Sequence, residues 1–171
     1  MPKPKVVLIM DWSNIDRGQR DFKYEVGEYN KESGFQRIKK WLYEIGKVEW
    51  ALVYTPLHDV YGHFEFLRDH DFTIVLCPTE SRTGRDTTDP KIIEDTEKLI
   101  ENFSMDYLCL GSGDGGFRDV LREAKKKGIK VALIYGSENS LSSELISVVD
   151  EYPDTHPKAG EKMLHLFSPS N

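Results

Sequence analysis

The stretch Leu108-Cys109-Leu110-Gly111-Ser112-Gly113-Asp114-Gly115-Gly116-Phe117 runs from apolar residues into glycines, a serine and one carboxylate, and an amphipathic pattern starts directly behind it. Strand, glycine turn, helix is the order in which an open parallel sheet presents side chains at the carboxyl ends of its strands, where ligands bind. Asp114 is the side chain so presented. Near the start of the chain, Val6-Val7-Leu8-Ile9-Met10 runs into Asp11-Trp12-Ser13-Asn14, a second strand that ends on an aspartate.

The segments between repeat the same alternation. Val6 to Met10 is continuous and mostly β-branched, the mark of a central strand buried on both faces. Residues 11 to 30 show no clean period and read as a long loop that includes Phe22, Tyr24 and Tyr29. Phe35, Ile38, Leu42 and Ile45 recur at helical spacing up to Gly46, predicting a first crossover helix over 31–45. Trp50 to Tyr54 comes next as a strand. Asp59 reads as the cap of a second helix marked by Val60, His63, Phe64 and Leu67. Phe72 to Cys77 reads as a third buried strand, and 79–88 as an exposed polar loop carrying Arg82, Arg85 and Asp86. Asp89-Pro90 opens a third helix with the carboxylate as its cap, and Ile92, Ile93, Thr96, Leu99, Ile100 and Phe103 mark its apolar face. Tyr107 to Leu110 is the fourth strand. Phe117, Val120, Leu121 and Ala124 line a fourth helix ending at Gly128, Lys130 to Tyr135 is the fifth strand, and Leu141 to Val149 a closing helix.

This alternation predicts an α/β, three-layer α/β/α fold around a mainly parallel five-stranded sheet of order 3-2-1-4-5, Rossmann-like in its winding. Its topological switch point lies between the first and fourth strands, so Asp11 and Asp114, about a hundred residues apart in the chain, become neighbours. One domain over 1–152 fits a chain of 171 residues, which can bury about 70% of its unfolded surface. The tail 153–171 has little pattern beyond Met163 to Phe167, which reads either as an added edge strand or as loose chain.

Composition narrows the chemistry. The formal charge of −6 argues against a long groove that grips nucleic acid through many phosphate contacts, but leaves room for a short, metal-bridged one. Cys77 and Cys109 each end an apolar run and read as buried free thiols, and none of the five histidines has zinc-like spacing with them. The N-terminal apolar run is too short to span a membrane and nothing resembles a signal peptide, so a cytoplasmic location and no membrane contact are expected.

Two ionised carboxylates ~4 Å apart repel by about 4 kcal/mol at an effective dielectric near 20, so such a pair needs a shared proton or a cation. Mg2+ and Mn2+ prefer carboxylate oxygens and water, and support phosphoryl transfer or phosphodiester hydrolysis. Arg118, in the first turn behind Asp114, is placed to meet a phosphate. Arg122, Lys125 and Lys126 extend a stripe from Arg118 that reads as solvated surface.

Val6 to Asn14, a hydrophobic strand followed by Asp-X-X-Asn, and Ser112 to Phe117, close to Ser-Gly-Asp-Gly-Asp-Phe, resemble the NYN domain, a branch of the PIN-like metal-dependent ribonucleases. The likeness takes in the six-residue separation of Asp89 and Asp95 and the Leu141-Ser142 helix start, over roughly residues 5 to 150. It implies a PIN-like fold, Mg2+ or Mn2+ as cofactor, and RNA, single-stranded or structured, as partner, with Arg82 and Arg85 as candidates to clamp it; a homodimer stays open. It further implies Asp11, Asp89 and Asp114 as catalytic metal ligands, Asn14 orienting Asp11 or a phosphate, Ser112 supporting the turn, and Asp95 behind the ligands. One departure stands out: Gly116 occupies the place of a usual acid. A non-catalytic RNA-binding or scaffolding domain is therefore the second reading. A phosphatase of the haloacid-dehalogenase type is the third, and Ser13 stands where it requires an aspartate.

Overall fold

The computed structural model describes residues 2–17, 31–57, 64–79, 87–150 and 163–165. Its strands are β1 (Lys5–Asp11), β2 (Lys47–Pro56), β3 (Thr73–Cys77), β4 (Tyr107–Gly111), β5 (Lys130–Tyr135) and β6 (Met163–His165). They form one sheet of order β3-β2-β1-β4-β5-β6, parallel at every pairing. The predicted order 3-2-1-4-5 is thus present, and the short apolar run in the tail adds a sixth strand beside β5.

The helices are α1 (12–17), α2 (Lys31–Ile45), α3 (Phe64–Asp69), α4 (Thr88–Asn102), α5 (Arg118–Lys126) and α6 (Ser143–Asp150). They divide by the alternation of side chains along the strands. Val7 and Ile9 of β1 point into a core closed by α4, α5 and α6. Val6, Leu8 and Met10 point into one closed by α1, α2 and α3. All five are fully buried, which is why this stretch reads as unbroken apolar sequence. Each such burial is worth about 2 kcal/mol relative to exposure.

Three expectations are corrected. Residues 12–17 are helical, not loop: Trp12 and Ile15, three apart, lie on one helical face and are both buried. β3, at the edge of the sheet as the predicted order has it, is not a buried strand, since Thr73 and Leu76 are exposed. Asp89 is not the helix cap. The cap position belongs to Thr87, whose side chain makes no capping bond, and Asp89 falls inside the first turn of α4, where a carboxylate suits the positive end of the helix dipole. Asp59 and the predicted start of the second helix lie outside the described residues.

Gly128 closes α5 as the sequence suggests. Its φ of +78° is the left-handed conformation in which glycine carries no side-chain penalty. Gly128 N–H donates to Lys125 O at 2.9 Å and Ile129 N–H to Ala124 O at 3.0 Å, the paired bonds of a helix C-terminal lock. Lys125 is more than solvated surface, since its Nζ donates to Val148 O at 2.6 Å and ties α5 to the end of α6. Cys77 and Cys109 are buried thiols outside any disulfide, and burial pushes the Cys109 thiol far above its usual range.

Candidate active site

The parallel register pairs Met10 with Gly111, so β1 and β4 end side by side and the chain leaves them at Asp11 and Ser112. The turn behind each strand is held by local bonds, and the two turns are then cross-linked. Asp11, 4% exposed, accepts the Asn14 N–H on Oδ1 at 3.3 Å and so caps α1. That turn carries the Asn14 side chain across to β4, where its Oδ1 accepts the Gly113 N–H at 3.0 Å from 99 residues away in sequence. Asn14 therefore bonds to both acidic strand ends, through its backbone at one and its side chain at the other.

On the β4 side the turn is fixed by its own atoms. The buried Ser112 Oγ accepts the Asp114 N–H at 3.1 Å. Asp114 Oδ1 accepts the Gly116 N–H at 2.9 Å, which caps the 3-10 turn Gly115–Phe117 and sets the carboxylate's orientation. Phe117, 1% exposed, anchors the far side in the core. From outside, the start of α6 clasps the turn: Ser142 N–H donates to Gly113 O at 2.8 Å. A Cβ on Gly113 would sit 1.9 Å from Ser140 O, so no side chain fits there.

Arg118 lies at the lip of this turn. Its Nε donates to Asp119 Oδ1 at 3.1 Å and its Nη1 is 3.6 Å from Glu144 Oε2. The bond to Asp119 and the charges of Asp119 and Glu144 raise the pKa of a guanidinium that is already always protonated. Asp119 is therefore engaged with Arg118. Glu144 and Ser142 stand against Gly115, where a Cβ would meet Ser142 Oγ at 2.7 Å and Glu144 Oε2 at 3.2 Å. The sequence shows these two only as a helix start; their place beside Asp114 comes from the parallel pairing of β4 and β5.

Asp89 is exposed in the first turn of α4. That end of the helix is tied to the end of β3 by the Thr87 hydroxyl, which donates to Pro78 O at 2.7 Å. Asp95 lies about 120° around the helix from Asp89, on another flank. Its Oδ2 accepts the Tyr54 hydroxyl at 2.9 Å and its Oδ1 the Lys91 ammonium at 2.8 Å. Burial and this acceptor push the Tyr54 hydroxyl far above the usual tyrosine range, and the same carboxylate raises Lys91. Asp95 also borders an apolar groove of 480 Å³ over the β2–β3 edge, walled by Trp50, Leu52, Val75, Leu99 and Phe103.

The structure thus brings together Asp11, Asn14, Ser112 and Asp114, and gives Asp95 to Tyr54 and Lys91. Arg82, Arg85 and Asp86, with Phe22, Tyr24 and Tyr29, lie outside the described residues. Among the described residues, no three or more His, Cys, Asp or Glu side chains form a group able to hold a metal ion. No helix among them is long and apolar enough to cross a membrane. Tyr54 is the partner that sequence reasoning missed, because nothing local ties it to a carboxylate 41 residues on.

Comparison with known proteins agrees with this architecture. The sequence profile of the NYN domain matches residues 5–156. No curated protein matches the chain. Among solved structures, a crystal structure of a protein of unknown function from Vibrio parahaemolyticus matches with a TM-score of 0.66 and 21% identity, covering 85% of this chain and 89% of that one. At that identity the likeness is one of fold.

Proposed function

The chain belongs to the NYN family, a PIN-like branch of nuclease-type folds, and from that premise we propose that it is a metal-dependent ribonuclease whose site is built on the joined ends of β1 and β4. The observation that carries the reading is the Asn14 bridge. By bonding Gly113 at 3.0 Å while its own N–H caps onto Asp11, Asn14 keeps two carboxylate-bearing strand ends in one assembly. Membership of the NYN family favours this reading over the phosphatase one.

The donor set fits Mg2+ or Mn2+ in its chemistry: Asp11, Asp89 and Asp114 offer carboxylate oxygens, and the nearby Asn14 and Ser112 add only amide and hydroxyl groups. We assign Asp11 and Asp114, on the joined strand ends, and Asp89, in the first turn of α4, as the residues that would hold the ion, a set that does not stand as one preformed three-carboxylate group. When bound, such an ion supplies Lewis-acid charge for phosphoryl oxygens and lowers the pKa of water. The protein's own part is preorganisation. Asp114 is oriented by Gly116 N–H and its backbone by Ser112, so neither has to rearrange when substrate arrives. Arg118 is the cation we assign to an RNA phosphate, with Glu144 steadying it in the free protein. Arg82 and Arg85 serve as further RNA contacts, and Asp95 supports the helix that bears Asp89. A few such contacts suit a chain of net charge −6, which has no excess of cations for a long interface. The substrate so described is cytoplasmic RNA.

The test is cleavage of labelled single-stranded and hairpin RNAs by wild type, Asp11→Asn and Asp114→Asn, each with Mg2+, Mn2+ or chelator. Cleavage by wild type with either metal, reduced by at least about 100-fold in both variants, is expected. Pure wild type that cleaves none of a diverse RNA set with either metal sinks the proposal. Gly116 supports one second reading, a domain that binds RNA without cutting it. In that case RNA binding survives Asp114→Asn, and Gly116→Asp switches cleavage on.

A further inference from the structure

Residues 118–130, which span α5 and the turn into β5, hold six cations, Arg118, Arg122, Lys125, Lys126, Lys127 and Lys130, against two acids, Asp119 and Glu123. The stretch is therefore net +4 in a chain whose total is −6. Arg118, Arg122 and Lys126, four residues apart, form one row along the helix, and Asp119 and Glu123 form the row beside it. Val120, Leu121 and Ala124 turn inward and are buried. The cationic row lies on the side toward α6, since Arg118 Nη1 is 3.6 Å from Glu144 Oε2 and the adjoining Lys125 donates to Val148 O.

The row begins at the candidate site. Arg118 follows directly on the 3-10 turn Gly115–Phe117 that Asp114 caps. Successive members climb ~6 Å along the axis, a step comparable to the phosphate repeat of an extended nucleic-acid strand. Proteins that hold single strands do so along a positively charged surface that tracks the backbone. The helix is fixed at its far end by the Gly128 turn and the Lys125 bond, so the row is ordered before a ligand arrives. Lys126 does pair with Glu123 at 2.6 Å, but both side chains are exposed, and a surface pair worth at most about 1 kcal/mol gives way to a phosphate.

We propose that this face of α5 is the track for one arm of a single-stranded RNA, whose backbone leaves the Asp114 turn at Arg118 and runs down the helix with successive phosphates on Arg118, Arg122 and Lys126, and the next against Lys127. So short a track is compatible with the negative total charge. The inference rests on the reading of RNA as the substrate and on no assignment of metal ligands.

Fluorescence anisotropy of a labelled single-stranded RNA, in chelator and over a series of salt concentrations, tests it. Wild type is compared with Arg122→Gln/Lys126→Gln/Lys127→Gln, and with Lys40→Gln/Lys47→Gln/Lys98→Gln, which removes the same charge from exposed positions on α2, β2 and α4. Each phosphate contact on a single strand contributes about 0.7 to the slope of log affinity against log salt, so the α5 variant binds more weakly with a slope shallower by about 2. The control keeps the wild-type slope. An equal loss in both variants means that net charge alone governs binding, and overturns the inference, as does an unchanged slope in the α5 variant; in both cases RNA binding by wild type leaves the ribonuclease reading standing. Wild type that binds no RNA ends the inference, and its cleavage assay tells whether the ribonuclease reading falls with it. None of the six substituted side chains is buried, and urea midpoints check that both variants fold. If the triple α5 variant is unstable, Lys126→Gln/Lys127→Gln carries the test with a slope change of about 1.4.

Discussion

The turn that carries Asp114 and the first turn of α4 that carries Asp89 are secured in opposite ways. In the Asp114 turn it is the turn's own backbone N–H and C=O groups that are bonded, by Ser112 and Asp114 within the turn and by Asn14 and Ser142 from outside it. Ser142 N–H meets Gly113 O, Gly116 N–H meets the carboxylate, and Gly113 admits no side chain because Ser140 O is 1.9 Å from where its Cβ would be. The start of α4 is held by side chains, Tyr54 and Lys91 on Asp95 and Thr87 on Pro78 O. The bonds made within the turn demand particular residues at adjacent positions, Ser112, Gly113 and Asp114, and so write a motif. Side-chain fixation draws on any residue the fold brings near, and leaves no local trace.

The comparison breaks most sharply at Gly113. A methyl group forced against a carbonyl oxygen either unseats the α6 start or distorts the turn, and Gly113→Ala should cost about 3 kcal/mol by urea denaturation. If its stability matches wild type, the turn is looser than its contacts imply. Asn14→Ala comes next. It leaves the buried Gly113 N–H without its acceptor, a loss of about 2 kcal/mol by the same measurement.

The smallest effect probes the other region through pH. Tyr54 keeps its proton in the folded chain well above its unfolded pKa near 10, so below pH 10 both states are protonated and its contribution is intact. Above pH 10 only the unfolded state releases the proton, and stability falls with rising pH by at most about 1.4 kcal/mol per unit. Tyr54→Phe should flatten that alkaline limb, read from urea midpoints between pH 8 and 11. A limb of unchanged slope would mean that other groups, Tyr107 among them, account for it.

How far the sequence discloses the molecule obeys the same division. The strand order was legible because β1, β4 and β5 are buried on both faces and read as apolar runs. Asp114 was legible because glycines frame it. The α1 turn escaped because two buried side chains, Trp12 and Ile15, are too few to show a period. The exposure of β3 escaped because its residues are as apolar as those of a buried strand, although the predicted order already puts it at the edge. Tyr54 and Glu144 acquire their roles only from the pairing of β1 with β2 and of β4 with β5.

The hydrogen bond from Gly113 to Asn14 closes a loop of 99 residues, and the clasp on Gly113 comes from Ser142, further along still. A chain emerging from the ribosome exposes its first aspartate long before the residues that complete the cleft have been synthesised. The joining of the two strand ends is therefore among the last events of folding, and waits for the final crossover helix to dock.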